Sequence, residues 1–387
     1  MHYGRVWAEI DLDALDHNLV AVRAAIGARR LLLAIKADAY GHGLREVGSA
    51  AADRVDFFGV ASVGEGAALR LAGVKTPILV LSPIPYGEIP GLFDHDLVPS
   101  VSEPEFARLL SAEAASRATT VGFHVEVDTG MGRTGVDADR AFGFITGTAR
   151  LPGLRLDGVF THFPAADSDI HFSCGQLAEY RALLDRLRHS GLDPFLAHSA
   201  NSSGFLNIAD SGLDMIRPGL LAYGILPDSY ASGQRATALD LKPVMRLRSR
   251  VVNLRAVTAG RSVSYERAWF TRRDSRIAVI TAGYGDGYPW SMKDRGFALV
   301  RGQRASIAGN VCMDLTMLDV TDIPEARIDD RVTLLGTDGG ETITANELAV
   351  RAGTIPYEIV CRVSPRVPRV FLRSGKAIKV RNLLNND

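Results

Sequence analysis

The chain has 387 residues, which exceeds one small module and suggests about two domains. Hydrophobic residues make up 47% and charged residues 23%, a composition that supports a folded core and argues against disorder. Lysine plus arginine and aspartate plus glutamate each total 44, so the formal net charge is zero. This balance excludes the basic surface expected of a protein that binds nucleic acid or an anionic membrane.

The termini and the cysteines restrict the class of protein further. The N-terminal sequence MHYGRVWAEID lacks the basic flank and apolar stretch of a secretory signal. No apolar run approaches the length of a membrane span. Three widely spaced cysteines form no disulfide framework, and no CxxC or HExxH motif suggests zinc. We therefore predict a cytoplasmic protein without a metal site and without a membrane partner.

Short apolar segments alternate with helical patterns through the first 230 residues. An amphipathic helix is predicted at 12–26, ahead of the first strand of this series. Eight strand-like segments follow at 31–35, 56–62, 77–82, 96–101, 121–127, 156–162, 195–199 and 214–217. Most gaps between them have helical periodicity, as at 64–72 and 176–189. This alternation predicts a (β/α)8 TIM-type barrel in the α/β class, with an open doubly wound sheet as the alternative.

The pattern changes after Pro227. The small, polar stretch DSYASGQRATA at 228–238 is typical of a linker. Alternating segments then predict strands at 245–257, 277–282, 297–301, 315–320, 332–335, 360–362 and 369–372, with one helix at 345–352. We predict a barrel domain over 9–230 and a mostly β domain over 240–387, with which residues 1–8 could pair. Three arginines in the first of these strands fall on one face, which we expect to be solvated: Arg246, Arg248 and Arg250.

Polar residues collect where the predicted barrel strands end. In a (β/α)8 barrel, the functional side chains lie at the carboxyl ends of the strands. Lys36 follows the first strand, Asp128 and Arg133 follow the fifth, His162 ends the sixth and Arg217 ends the eighth. A lysine at the barrel mouth is partly desolvated, which lowers its pKa and suits Schiff-base chemistry. The alternative is an ion-paired structural lysine.

The last two barrel strands lead into an anion-binding pattern. Asn201 and Ser202 stand where a helix would begin, and Gly219 keeps the following RPG loop open. By itself, Asn201–Ser202 is also an ordinary helix cap, and the RPG loop is also an ordinary turn. Together with Lys36, they suit a cofactor that has both an aldehyde and a phosphate, namely pyridoxal phosphate (PLP).

Nine motifs resemble, in order, the signatures of the alanine racemase family. They are AIKADAYGHG (34–43), VDTGMGRTG (127–135), THF (161–163), HSANSSG (198–204), IRPGLLAYG (216–224), SVSYERAW (262–269), AGYGDGYP (282–289), GNVCMD (309–314) and GTIPYE (353–358). The match is collinear from residue 7 to about 373. The resemblance implies a PLP-dependent isomerase that interconverts L- and D-alanine and supplies D-alanine for peptidoglycan.

The resemblance further implies two bases in an active site shared across a homodimer. Lys36 would hold PLP and act on one face of the substrate, and the partner subunit's Tyr265 would act on the other. Two different bases suit racemisation, because returning a proton to the same face only regenerates the starting enantiomer. Arg133 would orient the cofactor phenolate and the substrate carboxylate. The partner's Met313 and the partner's Asp314 would complete the substrate end.

The same resemblance assigns the cofactor contacts. The phosphate would be bound at Tyr40, Ser202, Gly219, Leu220 and Tyr357, with Asn201 in the same cofactor-binding loop. His162 would lie against the PLP ring, and Arg217 would face the pyridine nitrogen. Because a guanidinium has only donors, that nitrogen would stay unprotonated and the cofactor would be a weaker electron sink. The alternative is that Arg217 only anchors the ring.

Two positions depart from the family pattern. Glu126 stands where many relatives have a carbamylated lysine, and we predict an unmodified carboxylate that pairs with Arg133. Asn310 stands where an arginine is frequent near the substrate entry, which leaves the substrate range open. A broad-specificity or serine-preferring racemase is therefore the main alternative. A PLP decarboxylase would show a cysteine-and-aspartate motif, and a non-catalytic PLP carrier would lack the β domain.

Overall fold

The computed structural model describes residues 3–227 and 239–383. The predicted linker at 228–238 lies outside the described residues. The described chain begins with strand β1 (Val6–Asp11) and helix α1 (Leu12–Ile26). Asp11 caps this helix by accepting from the backbone N–H of Asp13 and Ala14. The helix has the predicted bounds and buries one apolar face against the barrel.

Parallel strands then build the first sheet. Its members are β2 (Arg30–Ala34), β3 (Phe57–Val60), β4 (Ile78–Val80), β5 (Val98–Val101), β6 (Val121–Asp128), β7 (Val136–Asp137), β8 (Leu154–Phe160), β9 (Leu196–His198) and β10 (Met215–Ile216). Their order is β10-β2-β3-β4-β5-β6-β8-β9, with β7 beside β6. Backbone hydrogen bonds from Asp214 N to Ala197 O (3.0 Å) and from Arg217 N to Ala200 O (2.9 Å) join the two ends. The predicted (β/α)8 barrel is confirmed, in a nearly closed form.

Helices connect these strands on the outside of the barrel. They are α2 (Lys36–Tyr40), α3 (Leu44–Ala51), α4 (Val63–Leu71), α5 (Ile89–Asp94), α6 (Pro104–Ser116), α7 (Ala138–Thr148), α8 (Ile170–His189) and α9 (Ser202–Asn207), with 3-10 turns at Tyr86–Glu88 and Leu220–Tyr223. Strand alternation sends Leu31 and Leu33 into the large outer core. Leu32 instead joins a small separate cluster with Phe57, Leu79 and Met215. We assign this cluster to the barrel interior.

A ten-stranded sheet forms most of the second half. Besides β1 it contains β11 (Met245–Val257), β14 (Ser275–Ile280), β15 (Phe297–Val300), β16 (Gln303–Ile307), β17 (Thr316–Asp319), β18 (Arg331–Asp338), β19 (Glu341–Ile343), β20 (Arg369–Arg373) and β21 (Lys376–Arg381). The order is β19-β18-β15-β16-β17-β14-β11-β1-β20-β21. Strand β1 pairs antiparallel with β11 and parallel with β20. The N-terminal strand therefore belongs to the sheet of the second half and leads directly into the barrel.

A small hairpin and two helices complete the second half. The hairpin strands are β12 (Ser262–Val263) and β13 (Trp269–Phe270), and the helices are α10 (Ala345–Ala352) and α11 (Pro356–Cys361). Short 3-10 turns lie at Tyr265–Arg267, Tyr284–Asp286 and Trp290–Met292. The mostly β second domain is confirmed. The predicted strand at 360–362 is wrong, because Pro356 begins a helix there that includes Val360 and Cys361.

The arginine row on β11 corrects another expectation. Arg248 is 4% exposed and forms an ion pair with Glu9 of β1 at 3.2 Å. Its neighbour Arg246 pairs with Asp11 at 3.1 Å. The prediction of a solvated face was wrong, because the neighbouring strand β1 places matching carboxylates beside two of the arginines.

Candidate active site

Lys36 follows β2 and begins a turn of unusual backbone conformation. The four residues Ala37, Asp38, Ala39 and Tyr40 have φ of 53° or 54°, in the left-handed region. Such a conformation costs a non-glycine residue about 1–2 kcal/mol. The segment assigned as α2 is therefore a left-handed turn that the surrounding structure must hold in place.

Side chains from distant segments hold this turn. The backbone N–H of Ala37 donates to the Glu65 carboxylate at 2.7 Å. The Asp38 carboxylate accepts from Leu44 N at 2.8 Å and from the Arg381 guanidinium at 2.9 Å. Gly41 ends the turn, and a Cβ there would lie 2.2 Å from Val360 O. Lys36 and Tyr40 thus have fixed positions at either end of the turn.

The environment of Lys36 favours a neutral amine. Burial lowers its pKa from the usual 10.5, and the charge of Arg133 lowers it further, while Glu65 and Glu126 act in the opposite direction. The pKa is thus shifted toward the range in which a lysine acts as a nucleophile or a base.

A cradle of small and hydroxyl-bearing residues surrounds Tyr40. A Cβ at Gly219 would lie 2.6 Å from the Tyr40 hydroxyl, so only glycine leaves room there. The backbone N–H of Gly219 donates to Ser202 Oγ at 3.1 Å. Tyr357 packs near the Tyr40 ring, with centroids 6.0 Å apart, and the buried Leu220 follows the glycine. The structure therefore brings the five predicted phosphate-binding positions together.

Asn201 caps the short helix next to this cradle. Its Oδ1 accepts from Gly204 N at 2.7 Å, and its Nδ2 donates to Phe163 O at 3.3 Å. The same Nδ2 lies 3.5 Å from His162 Nε2. Asn201 therefore connects the loop that carries Ser202 to the loop that carries His162.

Arg217 is a buried cation that is 5% exposed. Its guanidinium donates to Thr161 O at 2.8 Å, to Ser199 O at 3.0 Å and to His198 Nδ1 at 2.8 Å. Among the described residues no carboxylate forms an ion pair with it, so carbonyl and imidazole acceptors replace a counter-ion. Burial lowers its pKa to about 10, which still leaves it protonated at neutral pH.

The arginine fixes the protonation state of two buried histidines. Because a guanidinium only donates, His198 Nδ1 must accept, and its proton lies on Nε2. That Nε2 is 2.8 Å from His124 Nδ1, which must therefore accept in turn. Burial lowers the pKa of His124 to about 4 and that of His198 well below 6.5. Both rings are therefore neutral.

His162 lies between Arg217 and Asn201. Its Nδ1 is 3.3 Å from the Arg217 guanidinium. Burial, followed by the charges of Arg217, Arg133 and Lys36, lowers the pKa of His162 to about 3. The imidazole is thus neutral and suited to stacking against an aromatic ring.

The prediction that the Glu126 carboxylate forms a direct ion pair with Arg133 is wrong. The Glu126 carboxylate is buried and accepts from Thr134 Oγ1 at 2.7 Å. No ion pair joins it to Arg133 within the described part of the chain, where Arg133 is exposed. Arg133 still lowers the pKa of Glu126, although burial is the larger effect and raises it. Their interaction is therefore a longer-range charge effect.

Three predicted site residues of the second half, unlike Tyr357, are not part of the cradle around Tyr40. Tyr265 is 69% exposed, and its carbonyl accepts from the buried Asn310 at 3.1 Å. Met313 is 53% exposed, and Asp314 pairs with Arg366 at 2.8 Å, which lowers the pKa of that carboxyl. Among the described residues no hydrogen bond or ring contact joins Tyr265 to Lys36. One chain thus presents Tyr265 and Met313 outward.

Sequence reasoning missed several supporting residues. His198 begins the motif HSANSSG, but its contact with Arg217 depends on closure of the barrel. His124 alternates with apolar residues along β6, a pattern that indicates an inward position but no partner. Glu65 had no signal beyond its place in the first turn of a helix.

The residues present fit PLP. An amine with a lowered pKa lies one turn from a hydroxyl cradle that a Cβ at position 219 would fill. A protonated arginine lies beside a neutral imidazole, that of His162, whose pKa the charge of Lys36 also lowers. Within residues 3–227 and 239–383, no cluster of His, Cys, Asp and Glu could hold a metal ion. None of the helices described in those ranges is long and apolar enough to cross a membrane.

Fold and site together define a barrel protein with an amine-centred site and an attached β domain, and known proteins share both. The family model "Alanine racemase, N-terminal domain" matches residues 10–227, and "Alanine racemase, C-terminal domain" matches residues 244–371. An alanine racemase of Halothermothrix orenii is 40% identical over 368 residues, covering 94% of this chain and 96% of that protein. One from Desulfosudis oleivorans is 38% identical, covering 96% and 97%.

Solved structures show the same similarity. The alanine racemase of Clostridium difficile 630 superposes with a TM-score of 0.92 at 30% identity, covering 99% of this chain and 100% of that one. The alanine racemase of Bacillus anthracis with bound L-Ala-P has a TM-score of 0.90 at 32% identity, covering both chains fully. The chain belongs to the alanine racemase family. It is an isomerase that acts as an amino-acid racemase.

Proposed function

We propose that this racemase interconverts L- and D-alanine with PLP, held by Lys36. The observation that carries the proposal is the position of the Lys36 amine, one left-handed turn from the cradle of Tyr40, Ser202 and Gly219. The names of the relatives support alanine as the substrate. The proposal includes a barrel over 9–230, a β domain over 240–387, a cytoplasmic location and a supply of D-alanine for peptidoglycan.

PLP, when bound, withdraws electrons from the substrate Cα and so makes its proton removable. Lys36 supplies the amine that holds the cofactor and then takes or returns a proton at Nζ on one face of Cα. Partial burial and the charge of Arg133 both lower its pKa, which leaves Nζ able to accept that proton.

The second base is the partner subunit's Tyr265. In a single chain Tyr265 is 69% exposed, as expected of a residue that completes another subunit's site. Asn310 holds its backbone carbonyl in place. The partner's Met313 and the partner's Asp314 close the substrate end. This arrangement makes the homodimer the active unit.

Arg217 and His162 hold the cofactor ring. The Arg217 guanidinium, protonated at neutral pH, would donate to the pyridine nitrogen and so keep that nitrogen without a proton. The neutral His162 would hold the cofactor ring by packing, and a charged imidazole would cost more to bury there. Arg133, exposed in the single chain, orients the substrate carboxylate through a charge-assisted hydrogen bond.

One assay of the purified protein tests this function. Racemisation of L-alanine, L-serine and L-lysine is followed after PLP addition, together with the visible absorbance of lysine-bound PLP. We expect alanine to be the best substrate and Lys36→Ala to lose both the absorbance and the activity. An unaltered absorbance band in Lys36→Ala would contradict the role of Lys36. A preference for serine would replace alanine by the broad-specificity or serine-preferring alternative.

A further inference from the structure

Glu65 makes two short hydrogen bonds to the backbone at the ends of neighbouring barrel strands. It lies in the first turn of α4, where its own N–H donates to Ser62 Oγ at 3.2 Å. Its Oε1 accepts from Ala37 N at 2.7 Å, and its Oε2 accepts from Ala61 N at 2.7 Å. One carboxylate thus joins the residue after Lys36 to the residue after β3.

This bridge begins where the strand pairing ends. The last backbone bond between β2 and β3 runs from Ile35 N to Gly59 O at 2.8 Å. Beyond it the chain enters the left-handed turn, and Ala37 N has no backbone acceptor among the described residues. Glu65 supplies that acceptor. Ala37 is exposed, so water can solvate this amide in place of the carboxylate, but water does not connect the turn to the end of β3. Without the carboxylate bridge, the turn would gain other conformations.

The chemistry of the side chain suits this task only when it is ionised. A carboxylate offers acceptors on both oxygens, whereas an amide or a protonated carboxyl presents a donor on one of them. The same negative charge raises the pKa of Lys36, in opposition to burial and Arg133. The two acceptor oxygens of Glu65 and its negative charge therefore both act on Lys36.

We propose that Glu65 is a positioning residue for Lys36, which fixes the start of the left-handed turn by bridging Ala37 N and Ala61 N. This inference rests on the proposed role of Lys36 in holding PLP. Among the described residues, the Glu65 carboxylate accepts hydrogen bonds from two backbone amides, so Glu65 acts through the position of the lysine.

Glu65→Gln tests the proposal, and Glu103→Gln is the matched control. Glu103 also binds two backbone amides, Glu105 N at 2.8 Å and Phe106 N at 2.7 Å, at the start of α6. It is absent from the groups that shift the pKa of Lys36. The full-length protein, freed of cofactor, is labelled with acetic anhydride across pH, and modification of the Lys36 peptide is measured by mass spectrometry. PLP affinity is measured by absorbance titration.

The two readouts move in directions that simple loss of stability would not produce. In Glu65→Gln we expect the midpoint of Lys36 labelling to fall by about half a pH unit or more, because a nearby negative charge is lost. PLP affinity should nevertheless weaken by about tenfold, because the amine is less well placed. Glu103→Gln should leave both values unchanged. A wild-type midpoint or a wild-type affinity in Glu65→Gln overturns the proposal, as does an equal shift in the control.

A second variant covers the case in which Glu65→Gln does not fold. Glu65→Asp keeps the charge but is one methylene shorter and cannot span both amides. We expect a labelling midpoint close to that of the wild type with PLP affinity reduced by about tenfold. Unchanged affinity refutes the bridge. The labelling reports on the Lys36 amine whether or not the protein racemises alanine, so a failure of the proposed function is distinguishable.

Discussion

Gly219→Ala should damage the phosphate cradle and lower the stability of the protein. The added Cβ would lie 2.6 Å from the Tyr40 hydroxyl oxygen and 2.9 Å from Cζ. The φ of Gly219 is −110°, so left-handed strain does not contribute. Tyr40 cannot rotate away freely, because Tyr223 and Tyr357 pack on it with ring centroids at 5.1 Å and 6.0 Å. The clash must therefore move either the loop or the tyrosine.

The size of the effect follows from the distances. Ordinary contact begins at 3.4 Å, so the hydroxyl must move by about 0.8 Å. Overpacking of this kind costs about 1–3 kcal/mol of stability. Displacement of one hydrogen bond to a charged phosphate costs a further ~1.5–3 kcal/mol of PLP binding. We therefore expect PLP affinity to fall by about ten- to a hundredfold.

The assay compares two glycine substitutions. Urea unfolding of the cofactor-free protein gives stability, and absorbance titration gives PLP affinity. Gly143→Ala in α7 is the control, because a Cβ there meets nothing within 4 Å. It should stabilise the protein by about 0.5–1 kcal/mol and leave PLP affinity unchanged. Wild-type PLP affinity in Gly219→Ala would refute the assignment of the cradle to the phosphate.

Three further substitutions test the roles of single side chains. Tyr265→Ala should slow deuterium exchange at Cα of L-alanine more than of D-alanine, and equal losses would argue against two separate bases. Glu126→Gln keeps an acceptor for Thr134 but removes the negative charge, so the steady-state rate of racemisation should fall. Wild-type kinetics would contradict a role for the charge of Glu126. His124 has a pKa of about 4 when folded, against 6.5 when unfolded, so its contribution destabilises the fold as pH falls below about 6.5. When the pH falls from about 7 to about 5, His124→Gln should therefore lose about 2 kcal/mol less stability than the wild type. Urea unfolding at each pH measures this, and an equal loss of stability in the two proteins would contradict it.

Much of the fold was predictable because its signals are local. Each barrel strand is a short apolar run, and its period and flanking turns are present in the sequence itself. The errors arose where a local signal was ambiguous. Val360 and Cys361 suit either a strand or a helix, and Pro356 at the first helical position decided the outcome. Arg248 is predicted to be solvated because nothing near it in sequence shows that Glu9 lies beside it on the neighbouring strand.

The site shows the same division. Lys36 and Gly219 could be identified because a strand end and a glycine loop each carry a local pattern. The partners of these residues could not. Glu65 lies 28 residues from Ala37, to which it is hydrogen-bonded. Arg381 lies 343 residues from its partner Asp38. Glu126 was assigned the wrong partner, because Thr134 and Arg133 are adjacent in sequence and only side-chain direction separates them.

The sequence by itself determined which chemical groups stand at the strand ends and that their spacing suits a lysine-bound, phosphate-bearing cofactor. Only the tertiary structure decided how those groups are held: the left-handed turn at Ala37–Tyr40, the neutral state of His198 and His124, and the outward position of Tyr265. The physical reason is that residue type and period are local properties. A hydrogen bond or a buried charge instead depends on which distant segments the folded backbone brings within about 3 Å of each other.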